Sequence, residues 1–69
     1  MDEIKISLAA ARVNANLTQD DVAKKLRVSN KTVSNWEKGI VIPSAAVLFM
    51  LSSIYKIPEN NIILPEKST

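Results

Sequence analysis

The chain contains no cysteine, no histidine and a single glycine among its 69 residues. Without cysteine there can be no disulfide framework, and without cysteine and histidine the ligands of a structural zinc site are missing. The absence of histidine also excludes Ser–His–Asp and Cys–His catalytic arrangements. One glycine cannot form a glycine-rich phosphate-binding loop. The sequence therefore has no constellation that supports an enzyme, and it implies no cofactor and no metal.

Long apolar runs are absent as well. The longest one extends from Ala45 to Leu51, whereas a helix that crosses a bilayer needs roughly 18 residues. The sequence begins with Met1, Asp2 and Glu3, so its start is acidic and lacks the basic region of a signal peptide. We therefore expect a cytoplasmic protein that has no membrane partner.

Size and charge describe a small, mildly basic protein. The chain has nine Lys and Arg against seven Asp and Glu, a net charge of +2, and 46% hydrophobic residues. A domain of about 60 residues buries only roughly 60% of the surface of its unfolded chain. We expect one domain over residues 1–69, held together by helix packing, either alone or together with a second chain.

Apolar spacing predicts an all-α protein with five helices and no convincing strand. Thr18, Ser29 and Ser44 precede helical patterns as N-caps, and Asp21 completes a capping box with Thr18. Gly39 directly follows a helical pattern, as a C-terminal cap does. The predicted helices cover Ile4 to Asn14, Gln19 to Leu26, Asn30 to Lys38, Ala45 to Lys56 and Pro58 to Ile63, and residues 65–69 form a loose tail.

A series of polar and apolar residues around the second and third helices is more specific. It comprises Leu17-Thr18-Gln19, Val22-Ala23, Leu26, Val28-Ser29, Thr32-Val33-Ser34, Trp36-Glu37, Gly39 and Pro43. This series resembles the Cro/C1-type helix-turn-helix family of phage repressors, Cro proteins and bacterial regulators. The resemblance extends from Leu8 to about Ile62 and implies a compact five-helix, lambda-repressor-like DNA-binding domain.

The sequence departs from the family pattern at three positions. Arg27 stands where the family usually has the glycine of the turn, and Lys56 replaces a common glycine between the last two helices. A residue other than glycine with positive φ costs about 1 kcal/mol, so strain is expected in the turn. Met50 occupies a position that is usually polar. None of the three belongs to the surface that would contact DNA.

The third helix has one polar face. At about 100° per residue, Asn30, Lys31, Ser34 and Asn35 fall on the side opposite Val33 and Trp36. This face contains no acid, and its side chains can bond base edges, as Asn does with adenine and Lys with guanine. Between Val22 and Trp36 the chain has four cations and no carboxylate. We therefore predict that Asn30, Lys31, Ser34 and Asn35 contact bases.

Phosphate contacts are predicted near the helix N-termini, where backbone N–H groups and the helix dipole favour anions. The candidates are Thr18, Gln19, Ser29 and Lys38. Each has a simpler alternative. Thr18 and Ser29 are also caps, Gln19 can be a solvated helix start, and Lys38 can serve only the dipole at the end of its helix. Lys24 and Lys25 are likewise either dipole partners or residues that steer DNA.

Two further residues of the third helix are assigned to structural roles. Trp36 could stack on bases, but it lies on the apolar side of the helix, where large aromatic residues usually fill the core. The resemblance implies that Glu37 pairs with Arg12, and the alternative is that both are ordinary surface charges.

Apolar residues near the C-terminus exceed what one core needs. Met50 and Ile54 form part of a second stripe on the fourth helix, and a short fifth helix cannot bury Ile62, Ile63 and Leu64 against a single core. We predict an interface between two copies that includes Met50, Ile54, Ile63 and Leu64. The alternative is that the C-terminal tail covers one stripe. The resemblance implies a homodimer on a pseudo-palindromic operator.

These observations favour a sequence-specific regulator that binds double-stranded DNA through its third helix. The chain ends soon after the fifth helix, so we expect a Cro-like protein or a compact phage or prophage repressor. The competing hypothesis is a protein-interaction module on the same fold, such as an antitoxin or a phage accessory protein. The acid-free face of the third helix argues against this alternative.

Overall fold

The computed structural model describes residues 5–65. Within this range four α-helices follow one another, and a two-residue strand lies at each end. The elements are β1 (Ile6–Ser7), α1 (Leu8–Asn14), α2 (Gln19–Leu26), α3 (Asn30–Lys38), α4 (Ala45–Tyr55), a 3-10 turn (Glu59–Asn61) and β2 (Ile62–Ile63). The predicted bounds of the second and third helices are confirmed.

The strand pair corrects the all-α, five-helix prediction. β1 and β2 are parallel, and Ile6 pairs with Ile62 while Ser7 pairs with Ile63. The predicted fifth helix from Pro58 to Ile63 is therefore wrong. A six-residue helix is too short to be stable by itself, and β-branched isoleucines favour extended backbone.

The first helix begins later than predicted. Ser7 is its N-cap, and the Ser7 hydroxyl accepts a hydrogen bond from the backbone N–H of Ala10 at 3.1 Å. The predicted start at Ile4 lies outside the described residues, but Ile6 is in the strand and not in the helix. A competent cap at Ser7, together with the pairing of Ile6, explains the later start.

The other predicted caps are confirmed. Thr18 forms the full capping box with Asp21, and the Ser29 and Ser44 hydroxyls each accept from the backbone three residues on. Gly39 ends α3 with φ of 79°. α4 ends one residue earlier than predicted, because Lys56 adopts the left-handed conformation with φ of 59°.

One hydrophobic core joins all four helices and β2. Trp36 is only 6% exposed, which confirms the prediction that it belongs to the core. Ile62 of β2 is buried in the same cluster, so the strand pair closes the core between the two ends of the described range. The buried apolar residues are Leu8, Ala11, Val22, Ala23, Val33, Trp36, Leu51, Tyr55 and Ile62.

Candidate nucleic-acid interface

A three-residue turn connects α2 to α3 and sets their relative position. Arg27 is left-handed, with φ of 58°. The N–H of Arg27 donates to the carbonyl of Lys24 at 3.4 Å, and the N–H of Val28 donates to the carbonyl of Ala23 at 3.0 Å. These bonds form a Schellman motif, which satisfies carbonyls at the end of α2. Ser29 then caps α3 at once, so the two helices pack closely against each other.

The polar face of α3 points away from the core. Asn30 and Lys31 are exposed and Ser34 and Asn35 are half-buried, while Val33 and Trp36 are buried on the other side. The structure therefore brings the four predicted base-contacting residues to one side of the helix. Their amide, ammonium and hydroxyl groups can donate to base edges, and the amides and hydroxyl can also accept.

Glu37 is the acid of α3, and it is held on the inner side. Arg12 donates from Nε to Glu37 Oε2 at 2.7 Å and from Nη2 to Glu37 Oε1 at 3.2 Å, which confirms the predicted pair. The guanidinium also donates to the carbonyl of Leu17 at 3.0 Å. The hydrogen bond to Glu37 is the main cause that raises the pKa of Arg12 above its usual value. The charge of Glu37 is therefore neutralised within the fold.

Gln19 is a third member of this cluster. Its Nε2 donates to Glu37 Oε1 at 2.9 Å, and the side chain is half-buried. One amide hydrogen is therefore engaged inside the protein, which leaves the second N–H for an anion such as a phosphate. The bond also fixes the direction of the side chain at the first residue of α2.

The other predicted phosphate contacts lie at helix ends. The Thr18 hydroxyl accepts from the N–H of Asp21 at 3.0 Å, and Asp21 Oδ2 accepts from the N–H of Thr18 at 2.8 Å. These bonds to Thr18 lower the pKa of Asp21. Ser29 bonds both the hydroxyl and the N–H of Thr32. Lys38 is exposed in the last turn of α3.

One contact at this surface was missed by the sequence analysis. Asn30 Nδ2 donates to Asp20 Oδ1 at 2.6 Å, so a carboxylate from α2 lies against the polar face of α3. The prediction of an acid-free surface rested on the polar face of α3 and on the segment from Val22 to Trp36, and Asp20 belongs to neither. The signal available in the sequence was the place of Asp20 at the second position of a helix that precedes a tight turn.

The predicted dimer interface is divided between exposed and partly buried residues. Met50 is 42% and Ile63 is 50% exposed, whereas Ile54 and Leu64 pack partly against the core. Phe49, which the sequence analysis did not name, is 60% exposed. On the helical wheel of α4, Phe49 lies about 100° from Leu48, and this position could have indicated that its side chain is exposed. The alternative, that the C-terminal tail covers one stripe, concerns residues beyond Pro65, which lie outside the described residues.

Two further features are absent from residues 5–65. Within that range no helix is long and apolar enough to cross a membrane. The same residues contain no group of acidic side chains suited to a metal ion.

Comparison with known proteins agrees with this geometry. The profile of a family described as helix-turn-helix matches residues 8–61. The chain is also 36% identical over 63 residues to an uncharacterized HTH-type transcriptional regulator of Methanocaldococcus jannaschii, an alignment that covers 91% of this chain and 96% of the relative. The chain belongs to the helix-turn-helix family, in agreement with the Cro/C1-type resemblance of its sequence.

Proposed function

We propose that this member of the helix-turn-helix family is a transcriptional regulator that binds double-stranded DNA sequence-specifically, with α3 in the major groove. The observation that carries the proposal is the outward polar face of α3, held at a fixed angle to α2 by the turn at Arg27. The family match supports DNA binding and transcriptional regulation, which is a binding function and not an enzymatic one. A repressor of the phage, prophage or Cro-like kind fits the small size of the described domain.

The proposed base contacts follow from side-chain chemistry. The major groove is about 12 Å wide and admits an α-helix. Asn30 and Asn35 can each bond adenine N6 and N7, and Lys31 can donate to guanine O6 and N7. Ser34 can bond either kind of base edge. These four side chains project from two successive turns of α3, so together they can span a few neighbouring base pairs.

The proposed phosphate contacts flank this face. Gln19 and Thr18 stand at the start of α2, Ser29 at the start of α3 and Lys38 near its end. Helix N-termini favour phosphates because their backbone N–H groups and the helix dipole are both positive there. The exposed cations Lys24, Lys25 and Arg27 add a positive potential that attracts DNA.

We propose further that two copies bind a pseudo-palindromic operator as a homodimer. Met50 and Ile63 provide exposed apolar surface, and Ile54 and Leu64 are the partly buried residues of the proposed contact. We add Phe49 of α4, because a 60% exposed phenylalanine is costly to leave in water. An interface of a few such residues is small, so association is expected to be strongest on DNA, where half-sites about 34 Å apart hold the protomers together.

The experiment that tests this function is selection of bound sequences from a random pool of duplex DNA. The proposal expects a defined site with two related halves. Retention on heparin and on mixed-sequence DNA at low and high salt measures the electrostatic component separately. If the protein is retained by neither and selects no sequence, the protein-interaction module becomes the better hypothesis.

A further inference from the structure

Asp20 and Asn30 join the N-terminal turns of the two helices that the proposed function places on DNA. Asn30 Nδ2 donates to Asp20 Oδ1 at 2.6 Å, a short hydrogen bond to a carboxylate acceptor. Both residues are exposed. The helix dipole favours an acid in the first turn of α2, but it does not require that acid to bond the neighbouring helix. The capping box uses Asp21, so Asp20 has no part in it.

The bond determines which end of the Asn30 amide remains available. An ionised carboxylate only accepts hydrogen bonds, so the amide nitrogen, and not the amide oxygen, must face Asp20. The oxygen Oδ1 and the second N–H are left for another partner. An asparagine without such a neighbour could turn its amide by 180°, which would exchange the positions of the accepting oxygen and the donating NH2 group.

We propose that Asp20 is a positioning residue for base recognition, which holds the Asn30 amide so that it selects a base with an amino donor in the major groove. Adenine N6 and cytosine N4 donate there, whereas guanine O6 and N7 and thymine O4 only accept. This inference rests on the proposed function, because it assumes that α3 lies in the major groove. The negative charge of Asp20 lowers affinity for DNA of any sequence. In return, Asp20 increases the discrimination between bases at one base pair.

The test uses the site selected by the parent protein and compares Asp20→Asn, Asn30→Ala and the double variant. The position read by Asn30 is the one at which Asn30→Ala loses its preference. At that position we expect Asp20→Asn to reduce discrimination against guanine and thymine about tenfold. This size of effect is expected because a bidentate contact favours the correct base over a wrong one by roughly 5- to 150-fold. In the Asn30→Ala background, Asp20→Asn should change discrimination no further.

Two controls separate positioning from charge. Glu59→Gln removes one negative charge from the 3-10 turn, which contacts α4, and should leave every base preference unchanged. Asp20→Glu retains an accepting carboxylate and should retain most of the discrimination. Asp20→Asn should also tighten binding to mixed-sequence DNA, since it removes an anion near phosphates. Circular dichroism verifies that each variant is folded.

Three results would overturn the inference while leaving sequence-specific DNA binding by the protein intact. The first is unchanged discrimination in Asp20→Asn. The second is an equal change in the Asn30→Ala background, which would mean that Asp20 contacts the base itself. The third is an Asn30→Ala variant that keeps the preference at every position. A parent protein that selects no sequence would instead reject the proposed function, and this inference with it.

Discussion

Arg12 Nε lies 2.7 Å from Glu37 Oε2, and this ion pair joins the end of α1 to the last turns of α3. The two side chains are only 15% and 8% exposed. Because Gln19 and the carbonyl of Leu17 bond the same pair, three helices meet at one neutralised carboxylate. The fold thereby removes the acid of α3 from the surface that we propose to face DNA.

Removal of Arg12 should therefore destabilise the protein strongly. Arg12→Ala leaves the carboxylate of Glu37, which is only 8% exposed, without its cation, and this costs about 3–5 kcal/mol. A double variant, Arg12→Met with Glu37→Leu, should be less destabilised than Arg12→Ala, because it removes both charges. Urea unfolding measures both free energies. A loss below about 0.5 kcal/mol in Arg12→Ala would show that the pair contributes as little as an exposed one.

Substitution of the base-contacting residues should change sequence preference. Asn35→Ala and Lys31→Ala are each expected to cost about 1–3 kcal/mol on the selected site and to relax preference at one base-pair position. Lys25→Ala, at an exposed residue of α2, is the control for lost positive charge and should not alter preference. Equilibrium binding to single-base variants of the selected site measures both the affinity and the base preference. Full affinity and discrimination in both α3 variants would refute the assignment of α3.

The phosphate contacts should behave differently. Lys38→Ala and Gln19→Ala should weaken binding by a similar factor on every sequence. Lys38→Ala should also reduce the slope of log K against log salt by about 0.9, since one fewer counterion is released. Gln19 is uncharged, so its variant should retain the parent slope. A shift in base preference in either variant would contradict this division of roles.

The proposed dimer contact can be tested with one introduced charge. Ile63→Glu should abolish cooperative binding to the two half-sites and leave the monomer folded, because a carboxylate is costly to bury at an apolar interface. Val13→Glu is a matched control, since Val13 is 62% exposed on α1 and has no part in the proposed contact. Footprinting and analytical ultracentrifugation measure assembly. If Ile63→Glu assembles on DNA as the parent does, the interface lies elsewhere.

The turn between α2 and α3 should accept a glycine. Arg27 adopts φ of 58°, where a side chain costs about 1 kcal/mol relative to glycine. Arg27→Gly should therefore raise the free energy of unfolding by up to about 1 kcal/mol. Lys56→Gly, at φ of 59°, provides an independent second case. Thermal and urea unfolding measure the stability of both variants. A loss of stability in the two variants would show that the side chains of Arg27 and Lys56 stabilise the fold by more than the backbone strain costs.

The sequence alone determined the helix-turn-helix. Caps and apolar spacing are local properties, and the bounds of α2 and α3, the caps at Thr18, Ser29 and Ser44 and the left-handed Gly39 follow from them. Burial of Trp36 also followed from the apolar side of one helix. The Arg12–Glu37 pair came from family resemblance and not from spacing, because the two residues are 25 positions apart.

Tertiary structure decided the strand pairing at the two ends of residues 5–65 and the detail of the surface. Ile6 and Ile62 are far apart in sequence, so no local pattern showed that they pair as strands and replace the expected fifth helix. The bond between Asp20 and Asn30 depends on the angle between two helices, which the turn at Arg27 sets. Exposure of Phe49 likewise depends on which elements cover α4. Contacts between distant segments form only when the chain packs. The periodicity of apolar residues in one sequence indicates helices and strands, but it gives no information on the distance between such segments.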